Sequence, residues 1–499
     1  MSTLRDQAAG SRPRRCRGVD RRPLPRGTNC SARCRGCGLG IGLLLALLAA
    51  VGVPGPAAVA QPEPVTTTDV TFVGGGGVIL HGLVVAPRPS GKGRPALVML
   101  EGAGNRGRQD LQPAAEAFAR RGIVALIYDK RTVGYSLLSR DYDLLAADAI
   151  AAVAMLATRR DIDRSRLGLW AQSEGAYVAP LACRRSSAVK FVITVGAVGV
   201  TPAVQTAWGY DQFLRHAGVG GALPHSLEIT ALRTMISAGL FPEVNFDPVP
   251  AWQKVQQPVL AEWGEFDRVA LPRESSTAVE DALRRGGNTR YTMRFVNGVR
   301  HNLNLTADGG FDRIRSLPAD FGAYERQWID GLGHTEPSRL GTPPATETSP
   351  PLLAPLGGVA AWVHLGLILI LTVGFAFYPL ADLVGRIRRR PARPMTGLGG
   401  TPRLLGGAGL LTTVGLPVYL LFLMITAANV VGPVVLGRPL PWLLLQASTV
   451  IVGVCMIVIA IKLWGLRRRG EWTDRPRLIM MAAGAILLAW AGYWDLLVP

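Results

Sequence analysis

Ser173 stands in the run Ala171-Gln172-Ser173-Glu174-Gly175, between the apolar stretch "RLGLWA" and an Ala-rich stretch. A hydroxyl becomes a nucleophile toward an acyl carbon when a histidine takes its proton, a carboxylate holds that histidine, and donors receive the oxyanion. Small-x-Ser-x-Gly between a strand and a helix suits such a serine, because the turn is sharp and its flanking positions must be small. The N-terminus of the following helix also favours the developing negative charge. Asp267, three residues past Gly264 of "PVLAEWG", is the candidate acid, with Glu265 as its competitor. His301 follows the last strand-like run, "RYTMRFV", so serine, acid and histidine occur in the order Ser173, Asp267, His301. The other histidines fall elsewhere: His81 in an N-terminal hairpin, His216 and His225 in an insertion, His334 at a linker, and His364 within an apolar run. The backbone N–H of Glu174 and one from "EGAG" are the candidate oxyanion donors, with Ala103 favoured over Gly102 and Gly104. The same glycines also suit a tight turn.

These residues need a scaffold, and residues 61–335 supply one. "TTDVTFVGGGGVILHGLVVAP" reads as two strands around a glycine turn; no GK[ST] follows, so it is not a phosphate loop. Strands at 96–100, 123–128, 166–171, 190–195, 258–264 and 290–296 then alternate with helices at 111–121, 143–157, from 173, at 274–285 and at 320–332. Such alternation predicts a doubly wound, mostly parallel sheet. Residues 200–253 interrupt it as a helical insertion carrying Trp208, Tyr210, Phe213, Phe241, Phe246 and Trp252, aromatics suited to an acyl pocket or to an ordinary core.

The ends are different in kind. Residues 1–60 hold ten Arg against two Asp, and residues 379–499 hold thirteen Lys or Arg against four acids, so all but +2 of the net charge of +19 belongs to the ends. A nearly neutral middle excludes nucleic acid as the expected partner; basic residues beside apolar runs point to membrane topology instead. An apolar run after the Arg-rich leader ends in Ala58-Val59-Ala60, the parts of a secretory signal or an anchor. Residues 336–358 are a Pro-rich linker, and 359–499 an all-α membrane domain with four expected spans at about 359–381, 404–431, 440–461 and 478–498. The basic loops 386–394 and 466–477 belong in the cytoplasm, which puts residues 61–356 on the extracytoplasmic side. Cys34-Arg-Gly-Cys37 has CxxC spacing, but no second pair follows at metal-site distance; no metal or cofactor is expected.

With "EGAG", "YDKRTVGYS" (128–136) and "AQSEGAYVAP" (171–180), residues 65–335 resemble the α/β-hydrolase superfamily, within it the bacterial esterase and dienelactone-hydrolase-like group. The resemblance implies a serine hydrolase acting on esters or related acyl compounds without a cofactor. It carries the nucleophile to Ser173, the acid to Asp267 and the base to His301, and implies that Asp129 and Arg131 support the oxyanion loop. Three positions depart from the family pattern: Glu101 where Ser or His is usual, Thr132 for a glycine, and Ala176 for the last glycine of "SEGG". A carboxylate at Glu101 is expected to slow acyl transfer or to select a cationic substrate. The family does not cover the four-span tail. The expected function is therefore an exported, membrane-tethered serine hydrolase with a small acyl substrate and membrane lipids around it. Two alternatives remain at this point: an acyltransferase to an envelope lipid or sugar, and a non-catalytic extracellular binding domain.

Overall fold

The computed structural model describes residues 64–88, 91–105, 107–136, 138–241, 243–344, 359–388, 400–468 and 475–499. The basic leader, its four cysteines and the signal-like run lie outside the described residues. Strands β1 (Val65–Val73) and β2 (Ile79–Pro87) form the expected hairpin, and β3 (Arg94–Leu100), α1 (Gln112–Arg120), β4 (Val124–Tyr128), α2 (Tyr142–Leu156), β5 (Ile162–Gln172), α3 (Gly175–Arg185) and β6 (Val192–Val195) follow in alternation. After the insertion come β7 (Val259–Phe266), α8 (Pro272–Arg285), β8 (Tyr291–Arg300), α9 (Ala323–Asp330) and β9 (Ser338–Leu340). The insertion itself contributes α4 (Pro202–His216), α5 (Leu223–His225), α6 (Leu232–Ser237) and α7 (Val249–Trp252).

One nine-stranded sheet results, in the order β1-β2-β4-β3-β5-β6-β7-β8-β9. β1 and β2 are antiparallel to their neighbours, and every pairing from β4 to β9 is parallel. This arrangement fits an α/β-hydrolase fold. Both faces are covered, which is why the parallel strands read as unbroken apolar runs rather than alternating ones. Val98, Leu126, Leu169 and Val192 pack under α2 and α3, while Leu97, Ile127, Trp170 and Ile193 pack against α1 and α9. Helix α1 buries Ala114, Ala115, Phe118 and Ala119, a helical stripe that meets this second face. Asp141 caps α2 by accepting from the Leu144 N–H at 2.9 Å.

β9 departs from the sequence reading, which placed residues 336–358 in a linker. Ser338–Leu340 pairs with Thr292–Arg294 of β8, and Arg273 donates to the Pro344 carbonyl at 2.9 Å. The hydrolase-like layer therefore extends at least to residue 344. A three-residue edge strand among prolines has no periodicity to reveal it.

Four apolar helices follow: α10 (Val359–Ile387), α11 (Thr401–Ile425), α12 (Leu440–Arg468) and α13 (Arg475–Tyr493), with the short pair β10 (Val434–Val435) and β11 (Arg438–Pro439) between α11 and α12. Thr401–Ile425 and Leu440–Gly465 are long and apolar enough to cross a membrane; Ala361–Phe377 and Leu478–Tyr493 are shorter apolar stretches. α11 stops earlier than the expected span to 431, because Ala427 and Ala428 adopt positive φ of 50° and 56°. The insertion and these helices share one core, in which Ala207, Tyr210, Leu223, Leu227 and Leu232 pack with Leu420, Leu423, Trp442, Trp490 and Leu496. Polar contacts join them too: Ser226 Oγ donates to the Trp494 carbonyl at 2.9 Å, and His225 Nδ1 meets Asp495 Oδ2 at 2.7 Å. The apolar core dominates the join. A buried aliphatic side chain contributes about 1.5–3 kcal/mol, whereas an exposed ion pair contributes at most about 1 kcal/mol.

Candidate active site

Ser173 occupies the turn between β5 and α3 with φ 51°, a left-handed conformation that a side chain adopts at a cost of about 1–3 kcal/mol. Its N–H donates to the Val195 carbonyl at 2.9 Å, and its carbonyl accepts from the Ala176 N–H at 2.8 Å, so the turn is held from both sides. The small residue at Gly175 has a specific cause: a Cβ there would lie 2.8 Å from the Leu100 carbonyl oxygen. Sequence reasoning started the helix at Ser173; it begins at Gly175, because Ser173 lies outside the helical region.

Asp267 and His301 come together from the ends of β7 and β8. Asp267 Oδ1 accepts from the Val269 N–H at 2.8 Å and the Ala270 N–H at 2.9 Å, and Oδ2 lies 2.8 Å from His301 Nδ1. An ionised carboxylate only accepts, so Nδ1 carries the proton and Nε2 of the neutral ring holds a lone pair. Asp267 is 1% exposed and His301 9%. His301 Nε2 is buried and without a hydrogen-bond partner, Ser173 Oγ included. Such contacts tighten when a substrate arrives. Val195 and Gly196 connect the two side chains: Val195 receives the Ser173 N–H, and a Cβ on Gly196 would meet His301 Cε1 at 2.5 Å. Only a glycine lets the imidazole lie that close. Glu265, the competing acid, accepts from the Gly298 N–H at 2.9 Å instead.

The loop after β3 carries Gly102, Ala103 and Gly104 past the elbow; a Cβ on Gly102 would sit 3.3 Å from the Ser173 Cβ. Among the described residues, neither the Ala103 nor the Glu174 N–H donates to a backbone carbonyl in the surrounding turns. The Glu174 carboxylate is buried among cations. Lys130 Nζ lies 2.9 Å from Oε1, Arg140 lies 3.0 Å from Oε2, and the Tyr135 hydroxyl donates to Oε1 at 2.6 Å. Lys130 also donates to the Gly102 carbonyl, and Tyr135 OH accepts from the Gly104 N–H at 3.1 Å. Burial, followed by the Glu174 charge, pushes the Tyr135 phenol well above its ordinary value, so it remains a donor. Two cations and a phenol hold the Glu174 carboxylate, so the residue after Ser173 is fixed in place beside the loop.

Lys130, Tyr135 and Arg140 were missed from the sequence. The signal for Lys130 and Tyr135 lay within "YDKRTVGYS", where Asp129 and Arg131 drew the reading as the loop's supports; Arg140 lies four residues beyond it. In the structure the two side chains have different partners. Arg131 binds Asp148 at 2.5 and 2.7 Å and the Gly75 carbonyl at 2.6 Å, holding the β1–β2 turn. Asp129 holds Arg108, its Oδ1 accepting the Arg108 N–H at 2.9 Å.

A cleft of about 350 Å³ opens beside the elbow, lined by Gly102, Ala103, Gln172, Arg300, Asn302 and Arg313 among others. The insertion aromatics do not line it, contrary to the acyl-pocket expectation. Tyr210 and Phe213 are core residues against the C-terminal helices, Phe246 sits edge-on to Tyr142 and Tyr177, and Trp252 is fully buried. Glu101 does lie at the loop, on the wall of the cleft. Among the described residues, no group of three or more His, Cys, Asp or Glu is placed to hold a metal ion.

No family model matches the chain. The thiohydrolase apmlB of Arthrinium phaeospermum is 32% identical over 123 residues, 24% of this chain and 39% of that protein. The match thus spans well under two thirds of that relative. Among solved structures, the chain is similar to DcsB in complex with its substrate analogue (TM-score 0.38, 20% identity, 54% of this chain and 99% of that one). It is also similar to the acetyl xylan esterase from Paenibacillus sp. R4 (TM-score 0.37, 16% identity, 56% of this chain and 86% of that one). A third is the dienelactone hydrolase-like promiscuous phosphotriesterase P91 from metagenomic libraries (TM-score 0.36, 15% identity, 54% and 98%).

Proposed function

We propose that the chain is a membrane-tethered serine hydrolase that cleaves an ester or thioester through an acyl-enzyme intermediate. The observation that carries this reading is the Asp267–His301 hydrogen bond of 2.8 Å, in a ring whose Nε2 is unpartnered and which packs on Gly196, the residue after the Val195 that receives the Ser173 N–H. The thiohydrolase segment supports a thioester or ester as the bond broken. Ser173 Oγ attacks the acyl carbon and gives its proton to His301 Nε2, while Asp267 stabilises the imidazolium. The oxyanion takes the N–H groups of Ala103 and Glu174. Collapse breaks the C–O or C–S bond, and the leaving group receives the proton from Nε2. Water then repeats the sequence on the acyl-enzyme and releases the acid.

The C-terminal helices tether this unit. Four spans with basic cytoplasmic loops place the hydrolase domain on the extracytoplasmic side of the cell membrane, and the leader acts as its export signal. Acyl transfer would use the same serine with a sugar or lipid in place of water.

The test is fluorophosphonate labelling of the full chain in detergent, beside Ser173→Ala. Labelling of wild type that disappears in the variant is the expected result. A folded wild type that stays unlabelled would remove the catalytic assignment.

A further inference from the structure

We infer that the edge of the sheet carrying Ser173, Asp267 and His301 is a lipid-docking surface, through which the enzyme takes an ester held in the bilayer. The inference deepens the membrane-tethered hydrolase reading and rests on it. Strands β3 to β8 run parallel, so their C-terminal ends share one edge. Among the described residues between 64 and 344, eight large apolar side chains are exposed, and seven of them lie at that edge. Val73 and Ile79, 63% and 64% exposed, are a cross-strand pair at the tip of the β1–β2 hairpin. β2 runs antiparallel to β4 with Gly82 opposite Tyr128, so this tip reaches past the end of β4. Val133 and Leu138 sit on the loop that follows β4. Leu240 precedes Phe241 of the insertion, whose ring centre lies 5.8 Å from the Arg140 guanidinium of that same loop. Leu305 and Ile314 follow β8 and are bound to its end: Leu305 bridges to Val299, and the Ile314 carbonyl accepts from Arg300 at 2.7 Å. Leu340, in β9, is the exception.

The opposite edge is different in kind. Its connections include RRG at 120–122, RRSSAVK at 184–190 and RRGGNTR at 284–290, and these expose no large apolar side chain. Apolar residues exposed singly are ordinary; apolar loops gathered on one edge, with basic loops on the other, make the domain amphipathic. What covers the apolar edge follows from what is joined to it. The insertion leaves the sheet at this edge, after β6, and meets one end of the helical bundle at three points. The Tyr210 hydroxyl donates to the Met424 carbonyl at 3.5 Å near the end of α11, the Gly220 N–H to the Gly437 carbonyl at 2.8 Å before α12, and Ser226 to Trp494 after α13. A single helix bridges edge and bundle here. Phe213, three residues from Tyr210 on α4, packs edge-on to Phe311 of the loop after β8, with ring centres 5.3 Å apart. A helix is about 10 Å across, and the headgroup region is about 5–7 Å deep. Loops projecting from this edge therefore reach the surface of the membrane in which the bundle is set.

The test uses the full chain in phosphatidylcholine vesicles with two esters, 4-methylumbelliferyl oleate dissolved in the bilayer and p-nitrophenyl acetate in the surrounding water. Val73→Glu/Ile79→Glu puts two charges on side chains that already face solvent, so the fold tolerates them. We expect kcat/KM for the oleate to fall about tenfold or more, the order of one apolar side chain kept out of lipid. The acetate rate and fluorophosphonate labelling of Ser173 should stay as in wild type. Leu340→Glu, the same change away from the edge, should leave both esters unaffected. Equal loss on both esters in the double variant, or loss on neither, overturns the inference. So does a dimer in detergent that the double variant splits into monomers, because a second copy then covers the edge. A wild type that does not label, or that alkaline carbonate strips from the vesicles, removes the hydrolase or the tether reading respectively, and the inference with it.

Discussion

Asp267 accepts two backbone N–H groups on one oxygen, which aims the other at His301. Asp267→Asn places an NH2 in that site. Turned toward the ring, it would force the proton from Nδ1 to Nε2, the wrong tautomer for taking a proton from Ser173. The expected loss is on the order of 10³–10⁴ in kcat, as for other triads, read with an aryl ester in protein whose thermal unfolding is unchanged. Lys130 acts one step back, tying the Glu174 carboxylate to the Gly102 carbonyl. Lys130→Met leaves Arg140 and Tyr135 on that carboxylate, so the cost in stability should be about 1–3 kcal/mol rather than that of a bare buried charge. The oxyanion loop loses its tether as well, so kcat should fall further than KM changes. An unchanged kcat would show that Lys130 serves packing alone. The triad candidates were legible in the sequence because strand ends and chain order constrain them. The Lys130–Glu174 pair was not, since 44 residues separate its members and no local spacing marks them.

At the scale of elements, the insertion carries a titration of its own. Glu228, in the π-helical turn Ser226–Ala231 after α5, is pushed to about 8 by burial and by Asp211, with Arg215 opposing. Unfolded chains ionise this carboxyl near 4.5. Its contribution to stability is therefore complete below that pH and is lost as the pH rises from about 4.5 to about 8. Glu228→Gln keeps the shape and removes the charge. The variant's melting temperature relative to wild type should climb across that interval; a constant offset would refute the assignment. The sequence made the element order plain, because buried parallel strands are continuous apolar runs and helices show their stripe. β9 was hidden, as was the destination of the insertion aromatics. Tyr210 and Phe213 look the same in sequence whether they face a ligand or another helix, and only the tertiary partner decides.

For the whole molecule, the shared core of the insertion and α10–α13 is the governing feature. The sequence suggested two bodies joined by a linker; the structure packs the described residues between 64 and 499 as one unit. Cutting the chain at an engineered protease site within 345–358 should then leave the two fragments together, co-eluting in mild detergent. Fragments that separate would show that the backbone, not the core, holds them. Ala207→Asp on α4, where the side chain is 0% exposed, should break this association by burying an unpaired carboxylate, a cost of several kcal/mol.

The same core imposes an order of events on synthesis. Ser226 meets Trp494, 268 residues later in the chain. At ribosomal rates of roughly 5–20 residues per second, that partner emerges about ten seconds to a minute afterwards. Until then the insertion's apolar face of Leu223, Leu227 and Leu232 lacks the part of its cover that Trp490, Trp494 and Leu496 supply. The sheet and its elbow can form early, but this one flank must be chaperoned until the last helix is made. A ribosome that stops before α13 leaves behind a folded sheet layer with an adhesive side.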